Sequence, residues 1–197
     1  MRRWLPWVLL AVAVIGAYRA WLLRPIEHSA GILANDEPEQ EPLEAPRSMA
    51  RGEYQIDALA AYHLRARLLS RKEYHVGRES RLSPIDFAVG WGPMSDSGLL
   101  QRLQVEQSAR FFTLRWSEQT LPLDVILDHS ANMHLIPADD TVGRALDRMR
   151  PGEIVDLEGY LVRAAAADGW VWQSSLTRTD RGAGACELMW VERASTR

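Results

Sequence analysis

The sequence predicts an α+β fold that is mostly β: a small, strongly bent antiparallel sheet or partly open barrel with two or three short helices, preceded by one transmembrane helix. Three observations predict it. An uncharged apolar run opens the chain, a proline-rich acidic stretch follows, and from Tyr54 onward short apolar runs between turn residues outnumber helical patterns. With 197 residues, 47% hydrophobic and 25% charged, the chain is long enough for one ordinary domain and an extension. It divides into an N-terminal transmembrane anchor over 1–24, an acidic linker over 25–51 and a globular α+β domain over 52–197.

The anchor rests on the run from Trp4 to Tyr18, which carries no charge. With Arg19 snorkelling toward the headgroups the span extends from Trp4 to Leu23, about the 20 residues that a bilayer requires. Trp4, Trp7, Tyr18 and Trp21 lie near its ends, where amphipathic rings prefer the membrane interface, and Pro6 falls in the first turn, where a helix tolerates it. Arg2-Arg3 before an apolar run also fits a cleaved signal peptide. No small-x-small cleavage site follows between Tyr18 and Arg24, however, so the segment is read as an uncleaved anchor. Arg2, Arg3 and the terminal amine, against Arg19 and Arg24, give a slight bias toward a cytoplasmic N-terminus and an external domain.

From Arg24 to Arg51 the chain holds four prolines and six acidic residues, too little apolar content to offset the entropy of ordering, and it is expected to be a semi-extended tether. Its Ile32-Leu33 patch is the one place expected to dock. Within the domain, Tyr62, Leu64, Ala66 and Leu68 alternate with polar residues as in a half-buried strand, with a turn expected at Ser70 to Glu73. Ser83-Pro84 fits the start of a helix over Ile85 to Val89, and Ser95 or Asp96 fits the cap of a second helix running to about Leu103. Strands are expected at Arg110 to Trp116, Leu123 to Leu127 and Met133 to Ile136. Val142, Ala145, Leu146 and Met149 behind Asp139-Asp140 give one amphipathic helix, which Pro151-Gly152 ends. Ile154 to Val162 is a strand whose glycine marks a bulge or bend, and Gly169–Leu176 and Ala185–Glu192 are two more strands, read as a hairpin around a glycine-rich loop.

Charge and residue type narrow the chemistry. Four of the 23 basic residues lie in the anchor, so 19 face 26 acidic ones in the rest, a net −7 that disfavours nucleic acid as a partner. Cys186 is the single cysteine, so no intramolecular disulfide and no thiolate zinc site can form. His129 and His134, five apart, do not converge on one ion as a strand or as a helix, and neither a metal nor any other cofactor is expected. On a strand, Asn132 and His134 would share a face. Ser174-Ser175 lacks a nucleophile elbow, and Asp139-Asp140 is explained by a helix N-terminus. Of the eight tryptophans, Trp170, Trp172 and Trp190 are expected to form a cross-strand aromatic cluster. The loop from Gly90 to Asp96 is the other connection dense in unusual residues.

The segments Leu82 to Asp96, Ser130 to Ala138 and Trp172 to Glu187 together resemble a family of uncharacterised bacterial membrane-anchored proteins, over about residues 54–192. The resemblance implies a single N-terminal transmembrane helix plus a compact C-terminal domain, and it transfers no catalytic residue. The expectation is a single-pass protein of a bacterial inner membrane, carried by residues 4–23. Its periplasmic domain serves as a binding or assembly module for a protein partner in the cell envelope. The candidate binding residues are Asn132, His134, Ser174, Ser175, Arg178, Asp180 and Glu187. In the alternative, an envelope hydrolase, His134, Ser174, Arg178 and Asp180 surround a polar site.

Overall fold

The computed structural model describes residues 4–116, 118, 121–177, 182 and 185–197. Its first element is helix α1 (Leu5–Leu22), none of whose residues is buried. At 1.5 Å per residue it is about 27 Å long, and it is long and apolar enough to cross a membrane. Tyr18 stacks on Trp21 at its C-terminal end, and the Arg24 guanidinium lies 4.5 Å from the Trp21 ring centre. Arg19 reaches Glu73 of the domain at 3.1 Å.

The acidic segment is extended and laid against the domain at several places. Ile26 donates its amide to Pro151, His28 bonds the Gly152 carbonyl, and Ala34 is buried, held by Ser95 and Gly92. It also contributes two short strands, β1 (Glu39–Glu41) and β2 (Ser48–Arg51). Both pair antiparallel with β3 (Tyr54–Glu73).

Five strands close a ring of hydrogen bonds. β3 pairs antiparallel with β4 (Ile85–Gly90) and with β8 (Ile154–Ala166). β4 pairs antiparallel with β7 (Ser130–Pro137), β7 parallel with β10 (Glu187–Thr196), and β10 antiparallel with β8. With β1, β2 and the three-residue β9 (Val171–Gln173) on the outside of β8, the main sheet has eight strands. The one parallel pair corrects the expectation of a purely antiparallel sheet. After β7 the chain crosses on helix α5 (Asp140–Arg148) and builds β8, and only then does β10 insert between β8 and β7.

The ring is filled by alternate side chains, as a period of two requires. Tyr62, Leu64, Ala66 and Leu68 of β3 meet Ile85, Phe87 and Val89 of β4, Met133 and Leu135 of β7, and Met189 and Val191 of β10, with Val142 and Leu146 of α5 joining them. A second apolar cluster lies on the outer face: Ile56, Leu82, Ile136, Val162, Leu188 and Trp190, with Trp170 and Trp172 packed against it. β4, β7 and the first half of β10 are therefore covered on both sides.

That double covering explains the first of two departures from expectation. Ile85 to Val89 is strand β4 rather than a helix, and all six of its residues are buried. Ser83-Pro84 ends the short helix α2 (Arg78–Leu82), whose Glu79 carbonyl accepts the Ser83 amide. Ser70 to Glu73 forms no turn. A bulge between Leu68 and Ser70 bends β3 instead, and the polar run stays paired with β4 because the Arg71 side chain donates to the Asp147 and Met149 carbonyls.

Three further elements complete the domain. Asp96 caps helix α3 (Ser97–Leu100), accepting from Gly98 and Leu99; the helix stops at Leu100 because Leu103 already begins β5 (Leu103–Ser108). β5 pairs with β6 (Phe111–Trp116) in a separate two-stranded sheet. The expected strand at Leu123 to Leu127 is helix α4 (Leu123–Asp128): Pro122 sets the entry at φ −55°, Asp124 lies in the first turn, and Ile126 is buried against Met94 and Leu103. Asp139 caps α5, its carboxylate accepting from the Thr141 and Val142 amides. The four short helices α2 to α5 among the described residues exceed the expected two or three.

Gly159 of β8 faces Val191 where β10 carries a bulge between Val191 and Arg193, the irregularity expected at this glycine. A Cβ there would lie 1.9 Å from the Trp190 carbonyl oxygen, a backbone atom that can move only with the ring. Gly159→Ala should destabilise the full chain by about 3 kcal/mol. That corresponds to a fall in melting temperature of roughly 6–12 °C, measured by thermal denaturation in micelles. An unchanged melting temperature would show that β8 and β10 do not approach this closely.

Candidate functional site

The polar centre of the domain lies on the outer face of β4 and β7, where Asp86 stands opposite His134 and Ala88 opposite Asn132. Asp86 is fully buried. A carboxylate removed from water needs cations or donors, and Asp86 is met from two sides. Arg110 Nη1 lies 2.6 Å from Oδ1, and His134 Nδ1 lies 3.0 Å from Oδ2, close but out of line for a hydrogen bond. Arg110 Nη2 also donates to the Ser83 carbonyl at 2.9 Å.

Arg110 reaches Asp86 because of the turn that carries it. Ser108 and Phe111 close a two-residue hairpin through Ala109 (φ 49°) and Arg110 (φ 69°). Positive φ at both central residues is the geometry that matches strand twist, normally given to Asn-Gly. For two residues with side chains it costs roughly 1–2 kcal/mol each. The Arg110 contacts offset that cost. Besides Asp86, its guanidinium lies 3.9 Å from the Tyr74 ring centre and 5.6 Å from that of Trp172. Its amide donates to the Tyr74 hydroxyl, and its carbonyl accepts from Asn132 Nδ2 at 2.8 Å. Burial pushes the Tyr74 phenol above its ordinary value. Gln107 adds a bond to Asn132 Oδ1 at 2.8 Å.

A chain of aromatic rings covers the other flank. Trp172 packs on His134 with ring centres 4.9 Å apart, Trp170 meets Trp172 edge-on at 6.2 Å, and Tyr54 meets Trp170 at 5.3 Å. Arg78 lies over Trp170 at 4.8 Å and is clamped by both carboxylate oxygens of Asp168. That clamp, with the Trp170 amide, lowers the Asp168 carboxyl to about 2. The expected cross-strand cluster thus exists as a packed group, but Trp190 joins it through the outer core rather than from a neighbouring strand.

Pinned at its tip, the β5–β6 hairpin stands away from β7 and leaves a groove of about 430 Å³. Its walls are Phe111, Phe112, Thr113, Leu114 and Trp116 of β6 with Leu123 and Leu127 of α4; its floor is Ser130, Ala131 and Asn132 of β7 with Cys186 and Glu187. Asn132 and Glu187 of the expected set therefore meet here. His134 shares the outer face with Asn132, as alternation predicts, but is sealed beneath Trp172 and committed to Asp86. Ser174 is buried and structural: its hydroxyl donates to the Ser175 carbonyl and accepts the Leu188 amide, so it is bound to two backbone groups rather than to a base. Ser175 exchanges a bond with Thr177 and gives its amide to Cys186. Arg178 and Asp180 lie outside the described residues.

The expected hairpin of Gly169–Leu176 with Ala185–Glu192 is not formed. β9 pairs with β8, and β10 enters the ring between β8 and β7. Sequence reasoning missed Asp86, Arg110, Tyr74 and Gln107. The signal for the first was available, since a single charge inside Ile85-Asp-Phe-Ala-Val89 must find a partner if the run is buried.

Arg110→Met would leave Asp86 buried without its cation and should cost the full chain about 3 kcal/mol in denaturant unfolding. Adding Asp86→Leu should recover most of the loss. A single variant within about 0.5 kcal/mol of wild type would remove the pair from this role.

The two-part layout implied by the family resemblance, one apolar helix and a compact β-rich domain, is what the structure contains. Compared with protein-family models, curated proteins and solved structures, the chain matches none.

Proposed function

We propose that the protein is a single-pass membrane-anchored binding module that receives a protein partner of the bacterial cell envelope in the groove between β6, α4 and β7. The observation that carries this reading is the groove itself. Its walls are apolar, its floor carries Asn132 and Glu187, and the Arg110–Asp86 ion pair holds the hairpin away from β7 through a turn with positive φ at both central residues. Phe111 and Leu123 stand about half exposed on its rim, where an apolar partner would cover them.

The setting follows from α1. In this reading the helix spans the inner membrane with its N-terminus in the cytoplasm, as the small excess of positive charge ahead of it favours, and the domain stands in the periplasm. The groove is then offered at a fixed distance from the membrane, because the acidic segment is laid on the domain through Ile26, His28 and Ala34. Ser174 and His134, each tied to structural partners, support the integrity of this surface and not a reaction.

A photo-crosslinking residue placed at Leu123 of the full chain, in its native membranes, should give a protein adduct on illumination. The same residue at Val76, the most exposed large apolar residue among those described and outside the groove, should not. Equal adducts at both positions, or none at Leu123, would contradict the reading.

A further inference from the structure

The side chains of a strand alternate between its two faces, so a groove that runs beneath a face is lined by every second residue. This groove is lined by Phe111, Phe112, Thr113 and Leu114 in succession. It therefore runs along the edge of β6. The hydrogen-bond register says which groups that edge offers. In a hairpin with a two-residue turn the closing pair, Ser108 and Phe111, is a hydrogen-bonded one. Phe111, Thr113 and Arg115 therefore direct their N–H and C=O groups to β5, while Phe112, Leu114 and Trp116 direct theirs outward. Among the described residues β6 pairs only with β5, and these three outward residues bond no other backbone group.

Resting on the groove reading above, we propose that β6 captures its partner by strand addition: an extended polypeptide segment docks along the Phe112–Leu114–Trp116 edge and becomes the third strand of the β5–β6 sheet. Main-chain hydrogen bonds to the three outward residues supply sequence-tolerant affinity, and the groove supplies selectivity. Side chains on one face of the added strand fall between Phe111, Leu123 and Leu127, which selects apolar residues at alternate positions. Glu187 is buried at the floor, so selection rests on the apolar walls. The edge has none of the usual protections: no proline and no lysine interrupts Phe111 to Trp116, and its one charge, Arg115, belongs to the inward-bonded set.

The test uses the full chain in micelles. Random twelve-residue peptides displayed on phage are selected against it, and the enriched sequence is synthesised and measured by fluorescence anisotropy. Enrichment of apolar residues at alternate positions is expected. Methylating one alternate set of the peptide's backbone amides should weaken binding at least about tenfold, because those amides bond the edge, while methylating the other set should leave it within about twofold. Leu114→Pro removes one outward N–H without touching the β5 ladder and should weaken binding similarly, with Leu114→Ala as its side-chain control. No enriched alternating segment, or indifference to methylation of both sets on the wild-type chain, overturns strand addition. If the Leu123 adduct forms while methylation has no effect, the groove reading stands and strand addition alone falls; if the adduct is absent, the groove reading itself falls.

Discussion

The Asp86 carboxylate has no water to solvate it, and the placement of everything around the groove follows from that. A buried anion must be met by a cation, and the cation comes from a hairpin whose turn residues both adopt positive φ to deliver it. Because Arg110 is fixed, the Tyr74 hydroxyl, Gln107 and Asn132 have partners at fixed positions. Because His134 is drawn to the same carboxylate, Trp172 has a surface to cover. The hairpin is held at its tip and packed at its base through Leu114 and Trp116 against Met94, Leu103 and Ile126, and the space between is the groove.

The ring of strands supplies what that pair requires, a rigid outer face at low dielectric. Replacing one buried ion pair by apolar groups is often neutral or stabilising in proteins, so the pair is poorly explained as a source of stability. It is better explained as a positional device: it sets the hairpin at one distance from β7, which apolar contact alone does not specify. The aromatic chain from Trp172 through Trp170 to the Arg78–Asp168 clamp then ties the same face to α2 and to the β8–β9 turn.

Much of the fold was legible where one face is buried and the other is wet. Tyr62, Leu64, Ala66 and Leu68 alternate because their polar neighbours lie on the outer side of β3, and α5 was legible because its cap and its spacing agree. Ile85 to Val89 was not, because covering on both faces erases the period that distinguishes strand from helix, and Ser83-Pro84 serves the end of one helix as readily as the start of another. Leu123 to Leu127 is too short for periodicity to decide. Of the candidate site, Asn132 and Glu187 line one groove, because both stand where strands open onto it. Arg110 was invisible: its turn lacks the Asn-Gly that announces such a hairpin, and its partner is 24 positions away. The strand order around the ring, in which β10 inserts beside β7 and not beside β9, is a non-local choice that no short stretch records.

The central claim is that β6 presents a free edge. Backbone amide hydrogen exchange in the full chain, resolved residue by residue in micelles, tests it most directly. The account predicts slow exchange at Phe111, Thr113 and Arg115, whose amides bond β5, and fast exchange at Phe112, Leu114 and Trp116, whose amides face the groove. Equal protection of both sets would mean that the chain covers this edge itself, and would contradict the account.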